Sequence, residues 1–213
     1  MSLPAGAPAA PVKAVIFDMG GILEAPFDDV LFPELARMLG VPEPSLRQQR
    51  SRHALALTEG RMTLREFYAR VAREADRPVD PETVVARHLA VYEAATGPLD
   101  TGALRLVEAL RRRHVVACLT NTEVEVGRFN RGRGLYRAFH RAFLSTELGL
   151  HKPGRAIFDR ALAELDCVPV EAVFTDDKLE NVAGARTAGL HGILYRDLAS
   201  FSAELQDLVG RWA

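Results

Sequence analysis

Val12-Lys13-Ala14-Val15-Ile16-Phe17-Asp18-Met19-Gly20-Gly21-Ile22-Leu23 is the stretch on which the fold turns. Val12 to Phe17 is mostly apolar, interrupted only by Lys13, and it ends on Asp18 and a Gly20-Gly21 pair. Such a run reads as a strand buried on both faces that passes into a tight loop. The next segment has a different period. From about Phe27 to Thr96 the apolar residues recur at helical spacing, with Leu31, Leu35, Met38 and Leu39 on one face and Leu64, Phe67, Tyr68 and Val71 on another. Turn residues break that stretch at Gly40-Val41-Pro42, Glu59-Gly60-Arg61 and Arg77-Pro78-Val79-Asp80-Pro81, which predicts about four helices and no strand.

After Gly97-Pro98 strand and helix signals alternate. The pattern predicts helix Thr101 to Arg112, strand Val115 to Leu119, a helix near Val124 to Asn130, and a short strand around Ala142 to Leu144. Helix Gly154 to Leu165, strand Ala172 to Thr175, helix Leu179 to Ala188, strand His191 to Tyr195 and a last helix Ala199 to Val209 complete it. Alternation of this kind implies an α/β fold, a doubly wound parallel sheet with helices on both faces. The expected organisation is a core of residues 12–23 and 98–213, with an all-helical segment of about 24–97 inserted after the first strand. Residues 1–11, rich in Ala and Pro, read as a flexible leader.

At 213 residues the chain is long enough for one large domain or a core with a smaller insertion. Its net charge of -1 provides no general attraction to nucleic acid, so an anionic ligand needs a local positive site. The arginines at 111–113, 128, 131 and 133 accompany no nucleic-acid motif and read as helix ends and exposed faces. Cys118 and Cys167 are too far apart for a CxxC pair, which favours a reducing compartment, and Cys118 reads as a small core residue. No stretch reaches membrane-spanning length and the leader lacks a secretory pattern, so a cytoplasmic location is expected.

Ligands of open α/β sheets collect at the carboxyl ends of the strands. Four places qualify: Asp18-Met19-Gly20 after the first strand, Thr120-Asn121 after the second, Lys152 in the loop beyond Leu144, and Asp176-Asp177 after the fourth. Each has a bland reading when taken singly. An Asp ending a strand commonly caps a loop, an Asp pair commonly caps a helix, a lysine before proline is commonly solvated, and Thr-Asn commonly makes a turn. His53, His88 and His151 lack metal-like spacing and receive no role.

Taken together, Val15-Ile16-Phe17-Asp18-Met19-Gly20-Gly21-Ile22-Leu23, Leu119-Thr120-Asn121, Leu150-His151-Lys152-Pro153 and Val173-Phe174-Thr175-Asp176-Asp177-Lys178-Leu179-Glu180-Asn181 resemble the four-motif signature of the haloacid dehalogenase superfamily. The resemblance covers nearly all of Val12 to Val209, and the helical insert is similar to the family's small cap. It implies a Rossmann-like core and a hydrolase with Asp18 as nucleophile. It also implies Mg2+ held by Asp18, the Gly20 carbonyl and Asp177, with Asp176 as a further ligand or an acceptor beside the metal. Asn181 would orient Asp177 or a bound water. Thr120, the backbone around Asn121, the Gly20-Gly21 loop and Lys152 would receive the phosphoryl group of a small phosphorylated substrate.

The chemistry of these residues supports that assignment. A carboxylate is ionised at neutral pH and can attack phosphorus to give an aspartyl-phosphate that water later hydrolyses. A carboxylate about 4 Å from a phosphate dianion meets roughly 8 kcal/mol of repulsion at an effective dielectric near 20. Magnesium and a lysine offset that repulsion, and magnesium prefers oxygen ligands. Partners beyond substrate are not implied: neither nucleic acid nor membrane, with a monomer or a homodimer both compatible.

One position departs from the family. Most of its phosphatases have an acid-base Asp two residues after the nucleophile, where this chain has Gly20. Loss of such a group costs about 10² to 10⁴ in rate. The sugar-phosphatase and soluble epoxide hydrolase N-terminal branch is similar in its Phe-Asp-x-Gly opening and Asp-Asp-x-x-x-Asn close, and the chain reads best as a phosphatase of that kind. A haloacid-type dehalogenase fits less well, since such enzymes carry an aromatic residue at the Gly20 position and need no acidic metal pair. A phosphonate-cleaving branch requires a cap lysine, and residues 27–96 contain none. The remaining alternative is a catalytically weak binding module. Within the insert, Arg52, His53 and Tyr68 are candidate substrate contacts.

Overall fold

The computed structural model describes residues 11–210, so the expected leader lies outside the described residues except for Pro11. Strand β1 (Ala14–Phe17) is buried along its whole length. It pairs in parallel with β2 (Val115–Thr120) on one side and with β4 (Ala172–Asp176) on the other. Adding β3 (Arg141–Leu144) and β5 (His191–Leu194) gives the order β3-β2-β1-β4-β5, parallel throughout.

The continuous apolar character of β1 follows from its central place. Val15 and Phe17 pack with Val107 of helix α6 (Thr101–Leu110) and Phe201 of α11 (Leu198–Val209) on one face of the sheet. Ala14 and Ile16 pack on the other face with Ile157 and Phe158 of α9 (Arg155–Glu164) and Ala185 of α10 (Leu179–Thr187). Lys13, the one charge in the run, sits just before the strand and pairs with Glu171 at 2.8 Å. The chain winds from β1 through β2 to β3 in one direction and from β4 to β5 in the other. The reversal lies between β1 and β4, so their carboxyl ends flank the crevice where such sheets bind ligands.

Between β1 and α6 lie five helices: α1 (Asp28–Leu39), α2 (Glu43–Arg52), α3 (Ala54–Thr58), α4 (Leu64–Glu74) and α5 (Pro81–Thr96). Leu35, Leu39, Phe67, Val71 and Tyr92 pack there into a second cluster, which Val126 and Phe129, beyond β2, also join. The breaks between these helices use ordinary chemistry. Gly40 takes the left-handed conformation at φ 66 after α1, Thr63 and Glu66 form a reciprocal capping box on α4, and Asp80 accepts from Glu82 and Thr83 N–H groups ahead of α5. The expected four helices become five because α2 stops at His53, where no glycine or proline announces the interruption. Three further short helices also lack a sequence signal: the 3-10 turns Leu135–Ala138 and Pro169–Glu171, and α8 (Ser145–Leu148), each shorter than the period needed to see it. The chain between α6 and β2, and the carboxyl-terminal elements, otherwise follow the expected bounds within two residues.

His88 on α5 is expected to make stability depend on pH. It is 3% exposed and its Nδ1 lies 2.7 Å from the Tyr68 hydroxyl. Burial pushes its pKa down from 6.5 to about 4. Below pH 6.5 the unfolded chain therefore binds a proton that the folded chain refuses, and stability falls as pH drops towards 4, by at most about 3 kcal/mol from this residue. Urea midpoints of a His88→Phe variant should vary less steeply with pH over that interval. A slope equal to that of the unsubstituted protein would assign the pH dependence to other groups.

Candidate active site

Asp18 follows β1 directly, and its N–H donates to the Thr175 carbonyl of β4 at 2.9 Å, which fixes the loop against the neighbouring strand. Its Oδ1 accepts from the Met19 N–H at 2.7 Å and from Lys152 Nζ at 2.9 Å. The same ammonium lies 2.6 Å from Asp176 Oδ2 at the end of β4, and its side chain is fully buried. Lys152 is held there through its backbone. Asn121, just past β2, donates Nδ2 to the Lys152 carbonyl and accepts the Lys152 N–H at Oδ1, both at 2.9 Å. Residues 18, 121, 152 and 176, separated by up to 158 positions in the chain, thus meet at one rim.

One ammonium shared by two buried carboxylates cannot compensate both equally. Burial pushes Asp18 up to about 6, against the pull of Lys152 and with the charge of Asp176 adding to the rise. Burial also opposes ionisation of Asp176, but Lys152, the Lys178 N–H at 2.9 Å and Asn181 Nδ2 at 3.0 Å together hold it below the usual carboxylate range. Burial weakens the charged form of Lys152 as well, yet the two carboxylates raise its pKa overall. Asp177, exposed beside them, is pushed up by partial burial and by the charge of Asp176.

Carboxylate oxygens of Asp18, Asp176 and Asp177 all lie within 4.8 Å of one another. A hard divalent cation such as magnesium suits a set of oxygen ligands of this kind. Gly21 enforces the approach: it sits at φ +72, and a Cβ there would run into the Asp177 carboxylate. Only glycine at 21 leaves the space that Asp177 occupies. Gly20 has open space around its α-carbon, which leaves this part of the loop accessible. Thr120 ends β2 opposite Leu144 and is 6% exposed.

Several expected roles need correction. Asn181 bonds Asp176, not Asp177. The expectation for Asn121 concerned its backbone and is not altered: its side chain is engaged by the Lys152 backbone and so positions the lysine. Tyr68 is buried in the insert's own core with its hydroxyl on His88, and is not a candidate substrate contact. His53 packs edge-on against Phe67 with ring centroids 6.0 Å apart, and Arg52 is exposed.

Three arrangements next to the site have no signature in the sequence. Glu24 is buried and accepts the Tyr92 hydroxyl, which in turn accepts Asn130 Nδ2 at 2.6 Å. Burial raises its pKa, the Tyr92 and Arg133 contacts lower it, and the charge of Asp18 raises it further. His151, adjacent to Lys152, has Nδ1 2.7 Å from Glu59 of the insert. Arg50 of α2 pairs with Glu123, two residues beyond Asn121.

A buried carboxylate with a buried lysine on it and an acidic cluster beside it thus stand together at the switch point of a doubly wound parallel sheet. Residues 12–189 match the haloacid dehalogenase-like hydrolase family, and the chain belongs to it. Among its relatives is a sesquiterpene phosphatase of Aspergillus oryzae, 31% identical over 126 residues, which are 57% of this chain and 64% of that protein. The chain thus spans less than two thirds of that relative. A D-ribitol-5-phosphate phosphatase of Bacteroides thetaiotaomicron is 23% identical over 204 residues, covering 91% of this chain and 97% of that one. Among solved structures, a family enzyme of the same bacterium in complex with magnesium and inorganic phosphate superimposes with a TM-score of 0.73 at 20% identity, covering 89% of this chain and 98% of the other.

Proposed function

We propose that this chain is a magnesium-dependent phosphatase that transfers a phosphoryl group from a small phosphorylated metabolite to Asp18 and then to water. The observation that carries the proposal is the contact of Lys152 with Asp18 at 2.9 Å, beside a cluster of three carboxylates. A lysine so placed cancels charge at the atom that must approach a phosphate dianion. Relatives named as phosphatases support the reaction class.

Asp18, Asp177 and the Gly20 carbonyl would hold the magnesium, with Asp176 beside them. Bound there, the ion would neutralise phosphoryl charge and polarise the phosphorus. An Asp18 oxygen forms the bond to phosphorus while the bond to the leaving oxygen breaks. Lys152 stabilises the nucleophile and the phosphoryl oxygens, and Thr120 with the backbone at Asn121 donates to those oxygens. Residues 24–97 would act as a cap whose side chains select the substrate and exclude water. Asp177→Asn is expected to weaken magnesium binding, measured by calorimetry, by about tenfold or more; unchanged affinity would remove Asp177 from the metal site.

Gly20 itself supplies no acid for the leaving oxygen, so leaving groups that need protonation least should fare best. Acyl and aryl phosphates come nearest to that condition, and sugar 1-phosphates need protonation less than simple alkyl phosphates do. Phosphate release with magnesium should be about 10² to 10⁴ times faster from an aryl or acyl phosphate than from a simple alkyl phosphate. Equal rates would show that another group supplies the proton. No release from any of them would leave the fold as a binding module.

A further inference from the structure

Arg131, Arg137 and Arg141 line one cavity of about 410 Å³, together with His140 and the buried residues Tyr136 and Phe139. It lies along the edge strand β3, at the end opposite the rim. Arg141 opens that strand beside Ala117, whereas Leu144 closes it beside Thr120, about 10 Å further along at 3.3 Å per residue. Arg131 comes from the last turn of α7 (Val124–Gly132), and Arg137 from the 3-10 turn Leu135–Ala138. The proposed hydrolysis uses none of these residues.

Local backbone geometry gathers these side chains. The Gly134 N–H donates to the Arg131 carbonyl at 3.0 Å, and the Arg137 N–H to the Gly134 carbonyl at 3.1 Å. Gly134 is left-handed at φ +72, and a Cβ there would stand 2.9 Å from Arg137 Nε, so glycine lets that guanidinium fold back over the chain. His140 Nδ1 accepts the Val116 N–H at 3.0 Å, which leaves Nε2 as the donor of the neutral ring. The charge of Arg131 is compensated, since Glu147 accepts from its Nε at 3.0 Å and its Nη2 at 2.6 Å. The other two guanidiniums differ. Among the described residues no carboxylate lines the cavity, and none pairs with Arg137 or Arg141. In a chain of net charge -1 this leaves two positive charges at one concave place.

We propose that this cavity is a second, non-catalytic binding site for a phosphate or phosphomonoester dianion, held by Arg137 and Arg141. A phosphate group carries about 1.5 to 2 negative charges at neutral pH, which matches the two uncompensated guanidiniums. A guanidinium also presents paired N–H donors in the fork that phosphate oxygens take up. The volume is that of a small-molecule site. The proposal stands apart from the phosphatase reading, because the residues of the two sites do not overlap.

Hydrogen exchange over residues 131–142 of the full chain tests it, followed without magnesium at rising inorganic phosphate and, in a second series, rising phenyl phosphate. Chloride at matched ionic strength is the reference. Phosphate is expected to slow exchange there beyond the chloride reference. The double variant Arg137→Gln with Arg141→Gln should need at least about tenfold more phosphate for the same protection. Arg137→Lys with Arg141→Lys, which keeps the charge and removes the fork, should fall between the two. Turnover with magnesium should be the same in all three proteins, which also shows that the variants fold. Stronger protection by inorganic phosphate assigns the site to free phosphate, and stronger protection by phenyl phosphate assigns it to an ester; each upholds it. No protection in the wild type beyond chloride, or equal protection in the wild type and the Gln variant, overturns the site and leaves the phosphatase reading intact. Protection without turnover of any phosphate ester would do the reverse.

Discussion

Asp18→Asn should lower turnover by at least about 10⁴-fold, since the amide is nearly the same shape but cannot form the phosphoryl bond. The variant should nevertheless fold. Burial has pushed the Asp18 pKa up to about 6 from 3.8, so at neutral pH the folded state carries an ionised group whose charged form it disfavours. The sign is then fixed: above pH 6 both states are ionised and the folded one bears the penalty, which the amide removes. Lys152 keeps Asp176 as its partner at 2.6 Å. Urea midpoints at pH 7 should therefore be equal or higher in the variant while phosphate release disappears. Loss of stability in step with activity would make Asp18 a structural residue, and retained activity would exclude it as nucleophile.

Lys152→Met should be the most destabilising single change at the rim. The ammonium is fully buried and touches both Asp18 and Asp176, so its removal strands two carboxylates in a dry environment. Removing one partner from a buried ion pair costs about 3–5 kcal/mol. The loss should show in the urea midpoint, and Asp176→Asn in the same chain should recover part of it by removing one stranded charge. A double variant no more stable than Lys152→Met alone would place the cost in lost packing of the lysine stem, whose Nζ lies 5.3 Å from the Phe174 ring centre. Both forms should lack phosphatase activity, which separates catalysis from stability in this position.

The parts of this site that could be read from the sequence share one property: each is local to the end of a strand. A strand buried on both faces shows as an apolar run, and the polar residue that ends it shows as a break, which marks Asp18, Thr120 and Asp176 without knowledge of contacts. Gly21 was visible as a residue that permits close approach, although not that Asp177 is what approaches it. Contacts between the insert and the core were not legible. Arg50 and Glu123 are 73 positions apart, and Tyr92 and Glu24 are 68 apart, so no period or spacing couples them. Tyr68 shows the converse limit. Its helical phase is that of α4's apolar face, and that phase is equally consistent with a residue over the rim or one buried in the insert. Only the docking of α5, which brings His88 against its hydroxyl, decides the matter.

The central claim is that Asp18 itself carries the phosphoryl group. Mass spectrometry of the protein quenched in acid during turnover of an acyl or aryl phosphate with magnesium tests it most directly. The expected result is one added phosphoryl group on the peptide containing Asp18, absent from Asp18→Asn. Steady phosphate release with every quenched peptide unmodified, or with the added mass on another residue, would contradict it.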